Sequence, residues 1–266
     1  MSMSIGCVGC GNMGGAILAG LAASSLDCTL YGHTRTAARM APLEAAGVTR
    51  LDSARELARK VRYVVMAVKP YQIEALLAEM APEFGPDTVV ISVAAGISIA
   101  RLQAAVAGRC PVVRCMPNTP ALVGKGVFAL CFDDKVPAES KEDILRFFSQ
   151  LGVCLELPES RFTAFSALIG AGPAYVFGMM QGLVQAGVTL GLGRKDCRDM
   201  VAALFEGSAV MAARSDTPLM ELRDQVCSPG GLTIAGVNVL DRAGLSGLLV
   251  DAVLAADERG REMEKE

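Results

Sequence analysis

Ser4-Ile5-Gly6-Cys7-Val8-Gly9-Cys10-Gly11-Asn12-Met13-Gly14-Gly15 decides the fold of the first half of this 266-residue chain. The apolar run ending at Val8 reads as a buried strand, and a helical pattern resumes over Gly14–Ala23. Between them, Gly9–Gly14 spells G-x-G-x-x-G. The first glycine of that pattern permits a tight turn, the second lets a pyrophosphate approach the backbone, and the third lets helix and strand pack closely. The helix N-terminus then offers free N–H groups and a positive dipole end to the phosphates. Gly9, Gly11, Asn12, Met13 and Gly14 are therefore the expected contacts of a dinucleotide.

Outward from this turn, strand-like runs at Ser4–Val8, Cys28–Tyr31, Tyr63–Val68, Val89–Val93 and Val112–Cys115 alternate with helical patterns. The helical patterns lie around Gly14–Ala23, Thr36–Ala46, Ser53–Lys60, Gln72–Met80 and Ile99–Ala107. Such alternation predicts a parallel sheet with helices on both faces. Gly126–Phe132 and Val153–Leu157 are further strand candidates, flanking a helix at Ala138–Leu151. Ser53 with Glu56 has capping-box spacing, and Ser98 is placed to cap the helix after it. Beyond Leu157-Pro158-Glu159 no convincing strand pattern returns, and apolar residues recur at helical spacing. The expected architecture is an α/β N-terminal Rossmann domain over 1–158, followed by an all-α dimerisation domain over 159–266. The helical part has little polar surface to spare and is expected to complete its core against another subunit.

Acidic and basic residues are interspersed, with a net charge of −3. That balance supplies neither a basic footprint for nucleic acid nor a polybasic patch for a membrane, which leaves small molecules and other copies of the chain as partners. The nine cysteines sit mostly in apolar runs and read as reduced core thiols of a cytoplasmic protein. Cys7 and Cys10 form a C-x-x-C pair with no matching ligands elsewhere, so no metal or redox role is expected. No basic n-region precedes the first strand. Phe162–Leu192 carries no charged residue and has the length of a bilayer span. Its glycines, Pro173, Gln181 and Gln185 favour the alternative, an apolar helix buried between subunits.

The end of the second strand discriminates between cofactors. Domains that bind NAD place an acid there for the ribose 2′-hydroxyl. Here Tyr31-Gly32-His33-Thr34-Arg35-Thr36 contains none, and Arg39 follows. Arg35 can pair with a 2′-phosphate and Thr34 can donate to it, so NADPH is expected, with NADH a weaker substitute. One of Arg35 and Arg39 is equally readable as a solvated charge at a helix start. Ala67-Val68-Lys69-Pro70 and Ala94-Ala95-Gly96 close two strands with small residues that suit a nicotinamide ribose, although Lys69 also reads as a surface lysine. Asn118, in Met116-Pro117-Asn118-Thr119-Pro120, is expected to face the cofactor or the mouth of the substrate pocket.

The single histidine, His33, lies on the adenine side, so no His–carboxylate relay is available beside the nicotinamide. The predicted helix Thr163–Leu192 holds no lysine, which removes the proton donor a β-hydroxyacid dehydrogenase would need there. Reduction of a C=N bond asks for less, because a protonated imine is already electrophilic and needs chiefly to be oriented. Ser228-Pro229-Gly230-Gly231-Leu232-Thr233 then runs from a loop into a helix. The N–H groups of Gly230, Gly231 and Leu232, assisted by Ser228, suit a carboxylate. On local pattern alone, a proline turn that merely starts a helix explains the segment as well.

Gly9–Gly14, Ala67–Pro70, Ala94–Gly96, Cys115–Pro120, Gly170–Tyr175 and above all Val226–Asp241 resemble the pyrroline-5-carboxylate reductase family, over nearly the whole length. The resemblance implies an NADPH-dependent oxidoreductase that reduces Δ1-pyrroline-5-carboxylate to L-proline, the last step of proline biosynthesis. It also implies a homodimer built on an intertwined helical domain, with dimers assembling further into decamers. Carried over by position, Thr233 is the implied catalytic residue, hydrogen-bonded to the imine nitrogen. Ser228, Gly230, Gly231 and Leu232 are the implied carboxylate contacts, and an acid before the loop corresponds to Asp216 or Glu221. Ala171 stands where the family has serine, and Cys227 where serine or threonine is common. The alternatives are a reductase of another cyclic imino acid, or a silent NADP-binding protein. The latter would be expected to have lost the Ser228–Thr233 loop.

Overall fold

In the structure, a computed structural model describing residues 3–263 of the 266, the expected alternation is realised. The elements run β1 (Met3–Val8), α1 (Asn12–Ala22), β2 (Cys28–His33), α2 (Ala41–Ala45), β3 (Thr49–Arg50) and α3 (Ala54–Lys60). They continue with β4 (Tyr63–Met66), α4 (Pro70–Met80), β5 (Val89–Ser92), α5 (Ile99–Ala105) and β6 (Val112–Met116), then β7 (Gly126–Phe132), α6 (Ala138–Ser149) and β8 (Gly152–Glu156). β3 is an addition, too short at two residues for any periodicity to reveal it. The helix expected over Thr36–Ala46 is divided into a 3₁₀ turn at Ala37–Arg39 and the short α2.

The eight strands form one sheet in the order β3-β2-β1-β4-β5-β6-β7-β8. The first six reproduce the Rossmann order, and the chain reverses its winding direction between β1 and β4. The residue pattern leaves the direction of β7 open. β7 pairs antiparallel with β6, although β8 then returns parallel to β7. The connection from Met116 to Gly126 holds only the 3₁₀ turn Thr119–Val123, and a parallel return needs a crossover of roughly a dozen residues or more.

The central strands β1, β4, β5 and β6 are buried on both faces, which is why they read as continuous apolar runs rather than alternating ones. On β4, Tyr63 and Val65 join one core with Ile17, Leu18, Phe147 and Phe148, whereas Val64 and Met66 join the other with Leu57, Ile73, Leu77 and Leu102. Ser53 caps α3 by accepting the Glu56 N–H at 3.1 Å, while the Glu56 carboxylate reaches the Asp52 N–H at 3.0 Å. Ser98 caps α5 through the Arg101 N–H at 3.2 Å.

After β8, the Glu159 carboxylate accepts the Ile99 N–H at 2.8 Å and pairs with Arg114 at 3.0 Å. The Arg114 guanidinium in turn stacks over the Phe162 ring at 4.7 Å. These contacts bind the departing chain to α5 and β6. The long helix expected from Thr163 is interrupted: α7 (Phe162–Phe165) passes into a π turn at Ser166–Gly170, and α8 (Gly172–Thr189) starts with Pro173 in its first turn. α9 (Arg194–Ala213), α10 (Leu219–Gln225), α11 (Leu232–Arg242) and α12 (Leu245–Met263) complete the chain.

The chain divides into two units, one running to Gly170 and taking in the residues from Gly260, the other Ala171–Arg259. The second has a small interior of its own, in which Val184, Cys197 and Val201 are buried with Met180, Val188 and Phe205 against them. Many of its other large apolar side chains are exposed, Phe177, Leu190, Leu204, Leu219 and Leu254 among them. Among the described residues one helical stretch, Glu159–Thr189, is long and apolar enough to cross a membrane, and 11% of its apolar window is buried.

Candidate active site

Strand register assembles the cofactor segments. Val8 pairs with His33 on one side and Met66 on the other, Met66 with Ser92, and Ser92 with Arg114. The residues that follow, Gly9, Thr34, Ala67 and Val93, therefore leave the sheet along one edge. Backbone bonds lock them there: Gly9 N–H donates to His33 O at 2.8 Å, Ala67 N–H to Val8 O at 2.8 Å, and Val93 N–H to Met66 O at 3.1 Å. This edge, at the reversal in strand order, is where open α/β sheets bind their ligands.

The three motif glycines stand in different surroundings. Gly9 has φ +98°, and a β-carbon there would lie 2.7 Å from the Ala67 carbonyl carbon. At Gly14 a β-carbon would lie 2.3 Å from Gly9 O and 2.8 Å from Cys7 Sγ. Gly11 faces open space, with only Arg39 Nη1 nearby, 3.2 Å from where a β-carbon would sit. Gly11 is also the N-cap of α1, with no side chain satisfying the first-turn N–H groups of Asn12, Met13 and Gly14. Open space above uncapped donors, with a guanidinium alongside, fits a pyrophosphate. The sequence alone leaves Arg39 readable as a solvated charge, and its place over Gly11 depends on the 3₁₀ turn that brings it back.

Thr34 is half-buried and Arg35 exposed at the end of β2. His33 is turned away, its Nδ1 3.1 Å from Leu51 O. Ala67 and Val68 line the β4 end, and Lys69 is the exposed N-cap of α4, whose own N–H is met by Gln72 Oε1 at 3.4 Å. Ala94 is buried, whereas Ala95 and Gly96 are exposed beyond β5. Beneath the glycine turn, the Cys10 thiol lies 3.6 Å from His33 O and 3.8 Å from Cys7 O. Its hydrogen bond with Cys7 lowers the Cys10 pKa and, with burial, raises that of Cys7. Both side chains are buried and reduced.

Asn118 is buried, and its amide is engaged within the protein at both ends: Oδ1 accepts the Val127 N–H at 2.9 Å and Nδ2 donates to Ile169 O at 3.2 Å.

In the helical unit, Gly230 takes φ +68° in the turn before α11. The Gly231 N–H donates to Ser228 O at 3.0 Å, so it is spent within the turn instead of being offered to a ligand. The first-turn N–H groups of α11, beginning at Leu232 and Thr233, have no side-chain cap. Ser228, Leu232 and Thr233 are exposed. Arg223 brackets the loop, bonded to Asp224 before it at 3.1 Å and to Asp241 on α11 at 3.3 Å. Asp216 and Glu221 are both exposed.

Residues 159–263 match the pyrroline-5-carboxylate reductase dimerisation family, and residues 4–96 match the family described as NADP oxidoreductase coenzyme F420-dependent. A pyrroline-5-carboxylate reductase of Corynebacterium melassecola is 35% identical, over 98% of this chain and 99% of its own length. The chain belongs to the pyrroline-5-carboxylate reductase family. Among solved structures of this reductase family, that from Coxiella burnetii superimposes with a TM-score of 0.92 at 30% identity, covering 99% of both chains. The Plasmodium falciparum pyrroline carboxylate reductase, solved with NADP bound, gives 0.85 at 31% identity over 98% of both. The uncovered apolar side chains of α8 to α12 fall within the segment that matches the dimerisation family.

Proposed function

We propose that the protein reduces Δ1-pyrroline-5-carboxylate to L-proline with NADPH. The observation that carries this reading is the edge where Gly9–Gly14, Thr34–Arg35 and Ala67–Pro70 converge, in a chain matched to the family from end to end. When bound there, NADPH supplies the hydride. Gly9, Gly11, Asn12, Met13 and Gly14 cradle its pyrophosphate, Thr34 and Arg35 meet the 2′-phosphate, and Arg39 covers the turn. Ala67, Val68, Lys69, Pro70, Ala94, Ala95 and Gly96 flank the nicotinamide ribose. The absence of an acid after β2 favours NADPH over NADH.

On the substrate side, Ser228 and the N–H groups of Leu232 and Thr233 hold the carboxylate, with Gly230 and Gly231 shaping the turn. The Thr233 hydroxyl hydrogen-bonds the imine nitrogen, whose positive charge when protonated prepares the ring carbon for hydride. Asp216 or Glu221 supplies a nearby acid. The functional boundary between the cofactor-binding and helical parts falls at 158/159, ahead of the compact helical unit that starts at Ala171. The protein works in the cytoplasm as a homodimer, with pentamers of dimers as the larger assembly, and the apolar stretch Glu159–Thr189 is covered by a partner subunit and not by lipid.

The test is NADPH oxidation in the presence of the five-membered imine, repeated with NADH and with the six-membered homologue. Turnover confined to the five-membered ring, faster with NADPH, is expected. A folded protein that binds NADPH yet turns over neither imine overturns the assignment.

A further inference from the structure

We infer that Asn118 is a positioning residue, whose amide replaces an N–H that Pro173 lacks and so holds the π turn Ser166–Gly170 against the end of β6. In a regular helix the Ile169 carbonyl would accept the N–H of residue 173. Proline has none. A π turn would offer residue 174 instead, but the Ala174 N–H is used by Ala171 O at 2.9 Å. Asn118 Nδ2 fills the gap at 3.2 Å. The same amide accepts the Val127 N–H at the start of β7. A backbone N–H on one side and a backbone carbonyl on the other force the amide's orientation, and only a group that both donates and accepts serves the position.

The place of this clasp relates it to the reaction, on the reductase reading above. Met116 ends β6, one strand beyond β5 on the edge that carries the cofactor segments. Gly170, the last residue of the π turn, lies against it; a β-carbon on Gly170 would be 3.4 Å from Met116 Cε. Met116 and Ile169 pack together around Phe162, Phe165 and Ala129. Loosening the turn therefore displaces the wall at the end of β6 first, since the amide of Asn118 bonds Val127 and Ile169 and not the glycine turn at β1. Asn118 thus governs how the reacting end of the cofactor is placed, and has little part in how tightly the cofactor is held.

Asn118→Asp keeps the shape and the acceptor for Val127 but sets a second acceptor against Ile169 O. Asn118→Ser, whose single oxygen on a shorter side chain cannot stand in for both amide atoms, carries the same readouts should the aspartate variant fail to fold. In cofactor-free protein, faster amide hydrogen exchange over 162–175 is expected. With NADPH present, kcat should fall about tenfold or more, the isotope effect with NADPH deuterated at the transferred position should rise, and the NADPH Kd should stay within about threefold. Unchanged exchange over 162–175, an unchanged kcat in the folded variant, or equal losses in kcat and NADPH affinity would each overturn the inference. If the wild-type protein does not reduce the imine, the reductase reading fails, and the exchange measurement still decides whether Asn118 holds the turn.

Discussion

Gly11→Ala and Gly14→Ala add the same methyl group three residues apart, and the structure separates their consequences. At Gly11 the backbone is extended, with φ −81° and ψ −155°, and the methyl meets nothing but the mobile end of Arg39 at 3.2 Å. Folding stability should stay within about 0.5 kcal/mol of wild type, as for other uncrowded surface changes. The methyl nevertheless stands where a pyrophosphate must approach the α1 N–H groups. Loss of one charge-assisted hydrogen bond costs about 1.5–3 kcal/mol, or roughly 10- to 150-fold in NADPH Kd. At Gly14 the methyl would lie 2.3 Å from Gly9 O and 2.9 Å from Ala67 Cβ, both parts of the packed β1–α1 and β4 junction. Overpacking of that kind costs about 1–3 kcal/mol, a large share of a domain's roughly 5–15 kcal/mol. Thermal melting and a fluorescence titration with NADPH, on each variant, read the two effects apart. The reasoning is refuted if Gly11→Ala binds NADPH like wild type, or if Gly14→Ala melts at the wild-type temperature.

Arg35→Ala should weaken NADPH about tenfold and leave NADH unaffected, whereas Arg39→Ala, acting over Gly11, should weaken both; titration with each cofactor checks this. Thr233→Ala should lower turnover far more than NADPH affinity, and equal losses in both would count against its role at the imine nitrogen. Burial raises the thiols of Cys154 to about 11, of Cys110 to about 12, and of Cys115 well above the ordinary value of 9.0. The native state then keeps these protons where the unfolded chain has lost them, so their contribution is whole below pH 9.0 and is lost as pH rises towards 12. Melting temperature should decline across that window, and Cys110→Ala, with no proton to lose there, should show a shallower slope.

Much of the cofactor side was legible because its determinants are local. The spacing of Gly9, Gly11 and Gly14 and the missing acid after β2 lie within single turns of chain. Arg39 was only half legible: its spacing from Arg35 marked it, but the 3₁₀ turn Ala37–Arg39 returns it to Gly11. The Ser228–Thr233 loop was legible as a motif, while the use of its N–H groups was not. Gly231 gives its N–H to Ser228 O, which no residue pattern announces.

What the sequence by itself determined is therefore what adjacent residues impose on one another: apolar strands, helix starts at Ser53 and Ser98, a tight glycine turn at Gly9–Gly14, and a helical second half. The tertiary structure decided what depends on chain segments that meet only after folding. β7 runs antiparallel because its direction follows from the short connection before it, not from its own apolar residues. The helix after Arg161 breaks into a π turn whose stranded carbonyl at Ile169 finds its donor in Asn118, 51 residues earlier. A buried polar group must be satisfied by whatever is within reach, and what is within reach is settled by packing.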